Sequence, residues 1–104
     1  MTVYDKLVRD KIPEILNRKG KSYLAFKADD KQVMEYLTKK LFEEAEEFYE
    51  EPSLEELADI QEVVYALLDR LGYSREQLEL TRENKESARG AFKDGWILGE
   101  VLDD

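Results

Sequence analysis

Two short acidic motifs contain the residues of this sequence that are best suited to chemistry. The first reads E-E-x-x-E and contains Glu43, Glu44 and Glu47, and the second reads E-x-x-D and contains Glu56 and Asp59. Residues three apart on an α-helix are surface neighbours, so Glu44 and Glu47 can act together, as can Glu56 and Asp59. Carboxylates grouped in this way can bind a hard divalent cation through oxygen atoms alone.

The composition excludes several other kinds of site. The sequence has no cysteine and no histidine, which rules out disulfides, thiolate nucleophiles, Cys/His zinc sites and imidazole catalysis. The formal net charge is −9, from 25 acidic and 16 basic residues. Such a surface repels nucleic acids and anionic membranes and attracts divalent cations. We therefore expect no nucleic-acid partner.

Length and hydropathy predict one domain, spanning residues 1–104. No apolar run approaches the roughly 20 residues of a membrane span. Residues 1–10 lack the apolar core of a signal peptide. We expect a cytoplasmic protein without a membrane partner.

Helix start and stop signals predict an all-α fold. The predicted helices cover about residues 13–19, 30–50, 54–71 and 75–89. Ser53 with Glu56 forms an S-x-x-E capping box, and Ser74 with Gln77 repeats the signal. Residues 22–27 are predicted as a strand or an extended loop, and residues 91–104 as an irregular or hairpin-like tail. The centre of the fold is a helical hairpin over residues 33–71.

Hydrophobic periodicity gives each hairpin helix an apolar stripe. The stripe of the first consists of Val33, Leu37, Leu41, Ala45 and Phe48, and that of the second consists of Leu57, Ile60, Val63, Val64, Leu67, Leu68 and Leu71. At about 100° per residue, Glu44 and Glu56 fall inside these stripes. Glu47 lies about 60° further round its helix than Glu44, beside Lys40, and Asp59 lies about 60° further round than Glu56. Both are therefore at the edges of the stripes.

The chain reverses direction near residues 51 and 52, so residues at equal distances from this turn lie at the same level of the two antiparallel helices. Glu47 becomes level with Glu56, and Glu44 with Asp59. Four carboxylates in a half-buried pocket repel one another and need protons or cations. A solvated acidic surface, with Glu56 serving only as a helix cap, is the alternative that this geometry leaves open.

The motifs resemble the signature of the MazG-like all-α nucleoside triphosphate pyrophosphohydrolases, a superfamily that includes phosphoribosyl-ATP pyrophosphohydrolase. Four blocks similar to its small house-cleaning branch occur in order: YDKLVRDKIPEIL (4–16), KLFEEAEEF (40–48), EELADIQEVVYAL (55–67) and KESARGAFKDGWIL (85–98). The connection between Glu47 and Glu56 is shorter than that superfamily usually shows. The resemblance implies a MazG-like bundle, completed by formation of a homodimer or homotetramer.

The resemblance also implies an activity. Glu44, Glu47, Glu56 and Asp59 would bind Mg²⁺, with Mn²⁺ as a substitute. The enzyme would hydrolyse nucleoside triphosphates, including noncanonical ones, to the monophosphate and pyrophosphate. Glu47 would take a proton from the attacking water, and Glu43 would orient a ligand or a water.

Candidate substrate-binding residues follow from the charge of a triphosphate. The cations that could contact its phosphates are Lys6, Arg9, Lys11, Lys85 and Arg89, and ordinary surface solubility is their alternative role. Trp96 could stack on a base, line a dimer interface or cover helix ends. Phosphoribosyl-ATP hydrolysis and a non-catalytic acidic module that binds a partner or divalent ions remain alternative functions.

Overall fold

The computed structural model describes residues 1–103, and these contain four α-helices and no strand. The helices are α1 (Ile12–Arg18), α2 (Asp30–Glu50), α3 (Leu54–Leu71) and α4 (Arg75–Arg89). The predicted all-α class is therefore confirmed, and so is the position of each helix to within a residue or two. Neither residues 22–27 nor residues 91–103 form a strand, so the strand and hairpin alternatives for these segments were wrong.

Local capping explains where the hairpin helices begin and end. Asp29 caps α2 in a complete capping box, in which it accepts from the backbone N–H of Gln32 and the Gln32 side chain accepts in return. Ser53 caps α3, and Gly72, with a left-handed φ of 84°, follows its last residue. Only three residues, 51–53, connect α2 to α3. The two helices are therefore antiparallel neighbours, as the short connection requires.

One capping prediction was half wrong. At Ser74 the predicted box is complete, because the Gln77 side chain accepts from the Ser74 backbone. At Ser53 only the serine half exists, since its hydroxyl accepts from the Glu56 N–H at 3.2 Å without a reciprocal bond. The Glu56 carboxylate is therefore not used in capping.

The core of the hairpin is small. Val33, Leu37 and Val63 form its buried cluster, and the partly buried residues packed around it are Leu7, Ala28, Leu41, Ala66 and Leu67. Ala45, predicted in the apolar stripe, is exposed, and so is most of Leu71. The buried stripe residues are Val33 and Leu37 on α2 and Val63 and Leu68 on α3.

The chain divides into two compact units, Met1–Tyr73 and Ser74–Asp104. The first contains the hairpin, and the second contains α4 and the irregular segment that follows it. Large apolar side chains of that segment, including Phe92 and Trp96, are almost fully exposed. Within the described residues, no helix combines the length and the apolar character needed to cross a membrane.

Candidate metal centre

Three of the four predicted metal ligands come together between α2 and α3. Glu44, Glu56 and Asp59 each offer a carboxylate oxygen, and these three oxygens lie within 4.8 Å of one another. Glu44 belongs to the last two turns of α2, whereas Glu56 and Asp59 belong to the first two turns of α3. The tight connection at residues 51–53 brings these two helix ends together, so the acid cluster is a direct product of the hairpin.

Two carboxylate oxygens of this cluster are buried and have no hydrogen-bond partner. They are Oε2 of Glu44 and Oε2 of Glu56. Glu44 is only 6% exposed and is the one buried charged residue of the described chain. Burying a carboxylate without a partner is costly. A hard divalent cation would satisfy both oxygens together with Asp59, and the all-oxygen donor set suits Mg²⁺ or Mn²⁺.

Glu47 lies beside the cluster and acts on it electrostatically. Burial raises the pKa of Glu44, and the neighbouring Glu47 carboxylate raises it further. The pKa of Glu56 is raised by desolvation first, and then by Glu47 and Asp59. Both acids therefore hold a proton more readily than usual. Glu47 itself is exposed.

Lys40 belongs to this site, although no role in it was predicted. Its Nζ lies 3.5 Å from Oε1 of Glu44, and only 16% of its side chain is exposed. The spacing of four residues between Lys40 and Glu44 is the signal that identifies such a pair. Lys40 therefore offsets part of the charge that Glu44 carries into the interior.

The N-terminal segment before α1 supplies two further cations. Lys6 donates to Oε1 of Glu43 at 2.9 Å, and this contact holds the pKa of Glu43 below its usual range. Arg9 donates from Nη2 to Oδ1 of Asp59 at 2.7 Å. The predicted cations Lys6 and Arg9 thus lie at the acidic motifs, where Lys6 pairs with Glu43 and Arg9 pairs with Asp59.

Other predicted residues of the first unit lie elsewhere. Glu43 is not among the three clustered carboxylates, and it is held by Lys6. Lys11 is exposed and forms no ion pair with any described residue. Oε1 of Glu62 lies 3.6 Å from Nη1 of Arg9, so Glu62 shares that guanidinium with Asp59.

The N-terminal segment is fixed to α2 at Asp5. The hydroxyl of Tyr36 donates to Oδ1 of Asp5 at 2.9 Å. Asp5 has a φ of +43°, a left-handed conformation that an aspartate adopts only at some cost. Leu7, two residues later, packs against the core cluster. The path of this segment is therefore set by contacts on both sides of Lys6 and on the side that precedes Arg9.

The remaining predicted substrate residues belong to the second unit. Lys85 and Arg89, one turn apart on α4, line a cavity of about 500 Å³ together with Arg82, Glu86 and Phe92. Arg82 is bound to Glu79 and Glu86, whereas neither Lys85 nor Arg89 is ion-paired within this unit. Trp96 is 89% exposed.

Comparison with known proteins does not identify the chain. No protein-family model, curated protein or solved structure matches it. The resemblance of its motifs to MazG-like enzymes therefore stays a prediction. The functional argument rests on the geometry of the acid cluster and the cations around it.

Proposed function

We propose that the hairpin binds Mg²⁺, or Mn²⁺, through Glu44, Glu56 and Asp59, with Glu47 as a fourth ligand. The supporting observation is the pair of buried, unpartnered oxygens on Glu44 and Glu56, adjacent to Asp59. Their raised pKa values point in the same direction. A solvated acidic surface would leave these oxygens in water, and a capping role would direct Glu56 to the backbone of Ser53.

We further propose that the protein hydrolyses nucleoside triphosphates to the monophosphate and pyrophosphate, as a house-cleaning enzyme. A cation held by Glu44, Glu56 and Asp59 would supply positive charge against the phosphates and would make a water more acidic for attack on the α-phosphorus. Of the two acids proposed to take part in catalysis, Glu47 is the one that we propose as proton acceptor. It is exposed, whereas the ion pair with Lys6 lowers the pKa of Glu43 and makes Glu43 a weaker base.

The cations have separate tasks in this proposal. Lys40 stabilises the buried end of Glu44. Lys6 and Arg9 lie at the acidic motifs, where a polyanion bound to the metal needs neutralising charge. Lys85 and Arg89 form a second basic cavity, with Phe92 as an apolar wall. Lys85 and Arg89 stay proposed phosphate contacts of the second unit.

The proposal also covers assembly. The hairpin exposes aromatic side chains at Phe42 and Tyr49, seven residues apart on one side of α2. Burying this side against a second hairpin would produce a MazG-like helical bundle. We therefore propose a homodimer or a homotetramer.

The decisive experiment is a product analysis with a panel of standard and noncanonical nucleoside triphosphates, in Mg²⁺ and oxygen-18-labelled water. We expect monophosphate and pyrophosphate, with the label in the monophosphate because attack is at the α-phosphorus. Label in pyrophosphate would contradict the site of attack. Release of orthophosphate with a diphosphate would contradict the bond cut.

Two adjacent variants test the assignment of the site. Glu56→Gln should abolish turnover, whereas Glu55→Gln should retain it, because Glu55 is exposed on the same helical turn and forms no ion pair within the described residues. If the parent binds Mg²⁺ without hydrolysing any panel member, including phosphoribosyl-ATP, the protein is a non-catalytic ion-binding module.

A further inference from the structure

We propose that Arg9 has two alternative partners: it binds Asp59 in the metal-free protein and a phosphate group of the substrate once the metal is bound. This inference rests on the proposed function, since it assumes a divalent cation at Asp59. It deepens that function by assigning to Arg9 a role in substrate binding and in holding the site before the cation arrives.

In this proposal the divalent cation and the Arg9 guanidinium compete for the Asp59 carboxylate. Its carboxylate lies within the cluster that also contains Glu44 and Glu56, and its Oδ1 accepts from Arg9 at 2.7 Å. A divalent cation at Asp59 would neutralise the charge that attracts Arg9, and it would also repel the guanidinium. Metal binding should therefore weaken the contact between Arg9 and Asp59.

The guanidinium would remain near the site after losing Asp59. Nη1 of Arg9 lies 3.6 Å from Oε1 of Glu62, one turn further along α3 than Asp59. About half of the Arg9 side chain is exposed, 53%, so an incoming ligand can reach it. A planar guanidinium with parallel N–H groups suits a phosphate better than a single carboxylate oxygen.

The backbone around Arg9 needs no movement for this exchange. Asp5 is held by Tyr36, Lys6 by Glu43, and Leu7 packs against the core. The segment is therefore anchored on the side that precedes Arg9, and rotation about the Arg9 side-chain bonds is sufficient. Side-chain rotation at an exposed position is fast compared with substrate binding.

The test measures the affinities for Mn²⁺ and for pyrophosphate, which should change in opposite directions when Arg9 is replaced. The variant is Arg9→Gln, and the probes are Mn²⁺ alone, followed by electron paramagnetic resonance, and inorganic pyrophosphate at saturating Mn²⁺, followed by calorimetry. Removing the competing cation should tighten Mn²⁺ binding by about threefold to fivefold. Loss of a charge-assisted contact should weaken pyrophosphate binding about tenfold.

Arg70→Gln is the matched control. Arg70 also donates across the hairpin to a carboxylate, Oδ1 of Asp30 at 2.8 Å, but Asp30 is not in the acid cluster. Arg70→Gln should therefore leave both the Mn²⁺ affinity and the pyrophosphate affinity unchanged. Arg9→Lys keeps the charge without the planar fork, so its pyrophosphate affinity should fall between those of the parent and Arg9→Gln.

The outcomes separate this inference from the proposed function. If the parent binds no Mn²⁺, the metal site and this inference are both wrong. If Arg9→Gln weakens both affinities together, Arg9 has only a structural role. Unchanged pyrophosphate affinity in Arg9→Gln would also overturn the inference, while the metal site of the parent would stand.

Discussion

Nζ of Lys40 lies 3.5 Å from Oε1 of Glu44, one turn further along α2, and both side chains are largely withdrawn from solvent. The other oxygen of that carboxylate, Oε2, has no partner. One oxygen of Glu44 is thus paired with a lysine and the other has no partner, and the carboxylate also contributes an oxygen to the cluster with Glu56 and Asp59. Lys40 and a divalent cation would stabilise the same carboxylate.

The first prediction follows from this shared role. Lys40→Met should lower the free energy of unfolding in metal-free buffer by about 1–2 kcal/mol, because it leaves Glu44 buried without its cation. The increase in melting temperature on adding Mg²⁺ should be larger than in the parent, since the ion then supplies all of the missing charge. Thermal melts with EDTA and with Mg²⁺, at matched ionic strength, measure both effects.

Lys39→Met is the control for Lys40→Met. Lys39 is the adjacent residue of α2, and its ammonium faces the ring of Tyr36 at 5.4 Å from the centroid. The control should shift the metal-free stability only slightly and leave the response to Mg²⁺ unchanged. Equal behaviour of the two variants would mean that Lys40 does not stabilise Glu44.

The second prediction concerns Glu56. Replacing Glu56 with Gln removes one negative charge from the cluster at nearly constant shape. In metal-free buffer the melting temperature should stay the same or rise, because repulsion from Glu47 and Asp59 is relieved. In the parent, Mg²⁺ at ten times its dissociation constant should add about 1.4 kcal/mol of stability. Glu56→Gln should lose most of that gain.

The Glu55→Gln variant separates the effect of the acid cluster on stability from the effect of the helix dipole. Both glutamates are in the first turn of α3 and interact with the positive end of its dipole. Ser53 caps the helix through its own hydroxyl in either variant. Glu55→Gln should therefore lose the dipole contribution and keep the full response to Mg²⁺. A full response in Glu56→Gln as well would remove Glu56 from the metal site.

The sequence was sufficient for the features that depend on local signals. Capping residues predicted the starts of α2, α3 and α4, because Asp29, Ser53 and Ser74 satisfy backbone groups a few residues away. Pro13 and Gly20 predicted α1, which has no side-chain cap. Helical rotation predicted that Glu44 would lie in the apolar stripe of α2, and it is buried there. A short connection between two amphipathic helices was enough to bring their acids to one place.

Contacts between distant residues were not predictable in the same way. The partners Lys6 and Glu43 are 37 residues apart, and Arg9 and Asp59 are 50 apart. Helical periodicity contains no information about where the irregular segment before α1 crosses the hairpin. At Glu56 the local motif was misleading, because its carboxylate lies in the acid cluster and not on the Ser53 backbone.

The third prediction tests assembly through α2. Phe42 is 72% exposed and Tyr49 is 85% exposed on one side of this helix. Light scattering at micromolar concentration should give a dimer or a tetramer of the 12.2 kDa chain. Phe42→Lys combined with Tyr49→Lys should shift it toward the monomer, since each aromatic side chain buried in an interface contributes about 1.5–3 kcal/mol.

The control for assembly is Glu50→Lys. Glu50 is exposed on α2. Replacing it with Lys adds positive charge, as the two aromatic replacements do, but removes no apolar surface. It should leave the oligomer intact. A parent protein that is monomeric throughout would contradict the proposed bundle, although the acid cluster of the single hairpin would be unaffected.

The fourth prediction concerns pH and the contact that fixes the N-terminal segment. The hydrogen bond and the negative charge of Asp5 raise the pKa of Tyr36 above its ordinary value, with a smaller contribution from Glu35. The folded protein therefore holds the phenolic proton more tightly than the unfolded chain does. This contribution to stability is fully present below the unfolded pKa of about 10, and it is lost as pH rises through the folded pKa.

Urea unfolding of the parent and of Tyr36→Phe measures this contribution directly. At neutral pH the parent should have the higher midpoint, because only the parent forms the bond from Tyr36 to Asp5. Above the folded pKa, ionised Tyr36 faces the Asp5 carboxylate as a like charge, so the difference should vanish or change sign. Titration of tyrosinate absorbance should show one group in the parent that ionises late and is missing in Tyr36→Phe. If the difference in midpoint is the same at both pH values, Asp5 does not hold Tyr36, and the N-terminal segment must owe its position to Leu7, Lys6 and Arg9 alone.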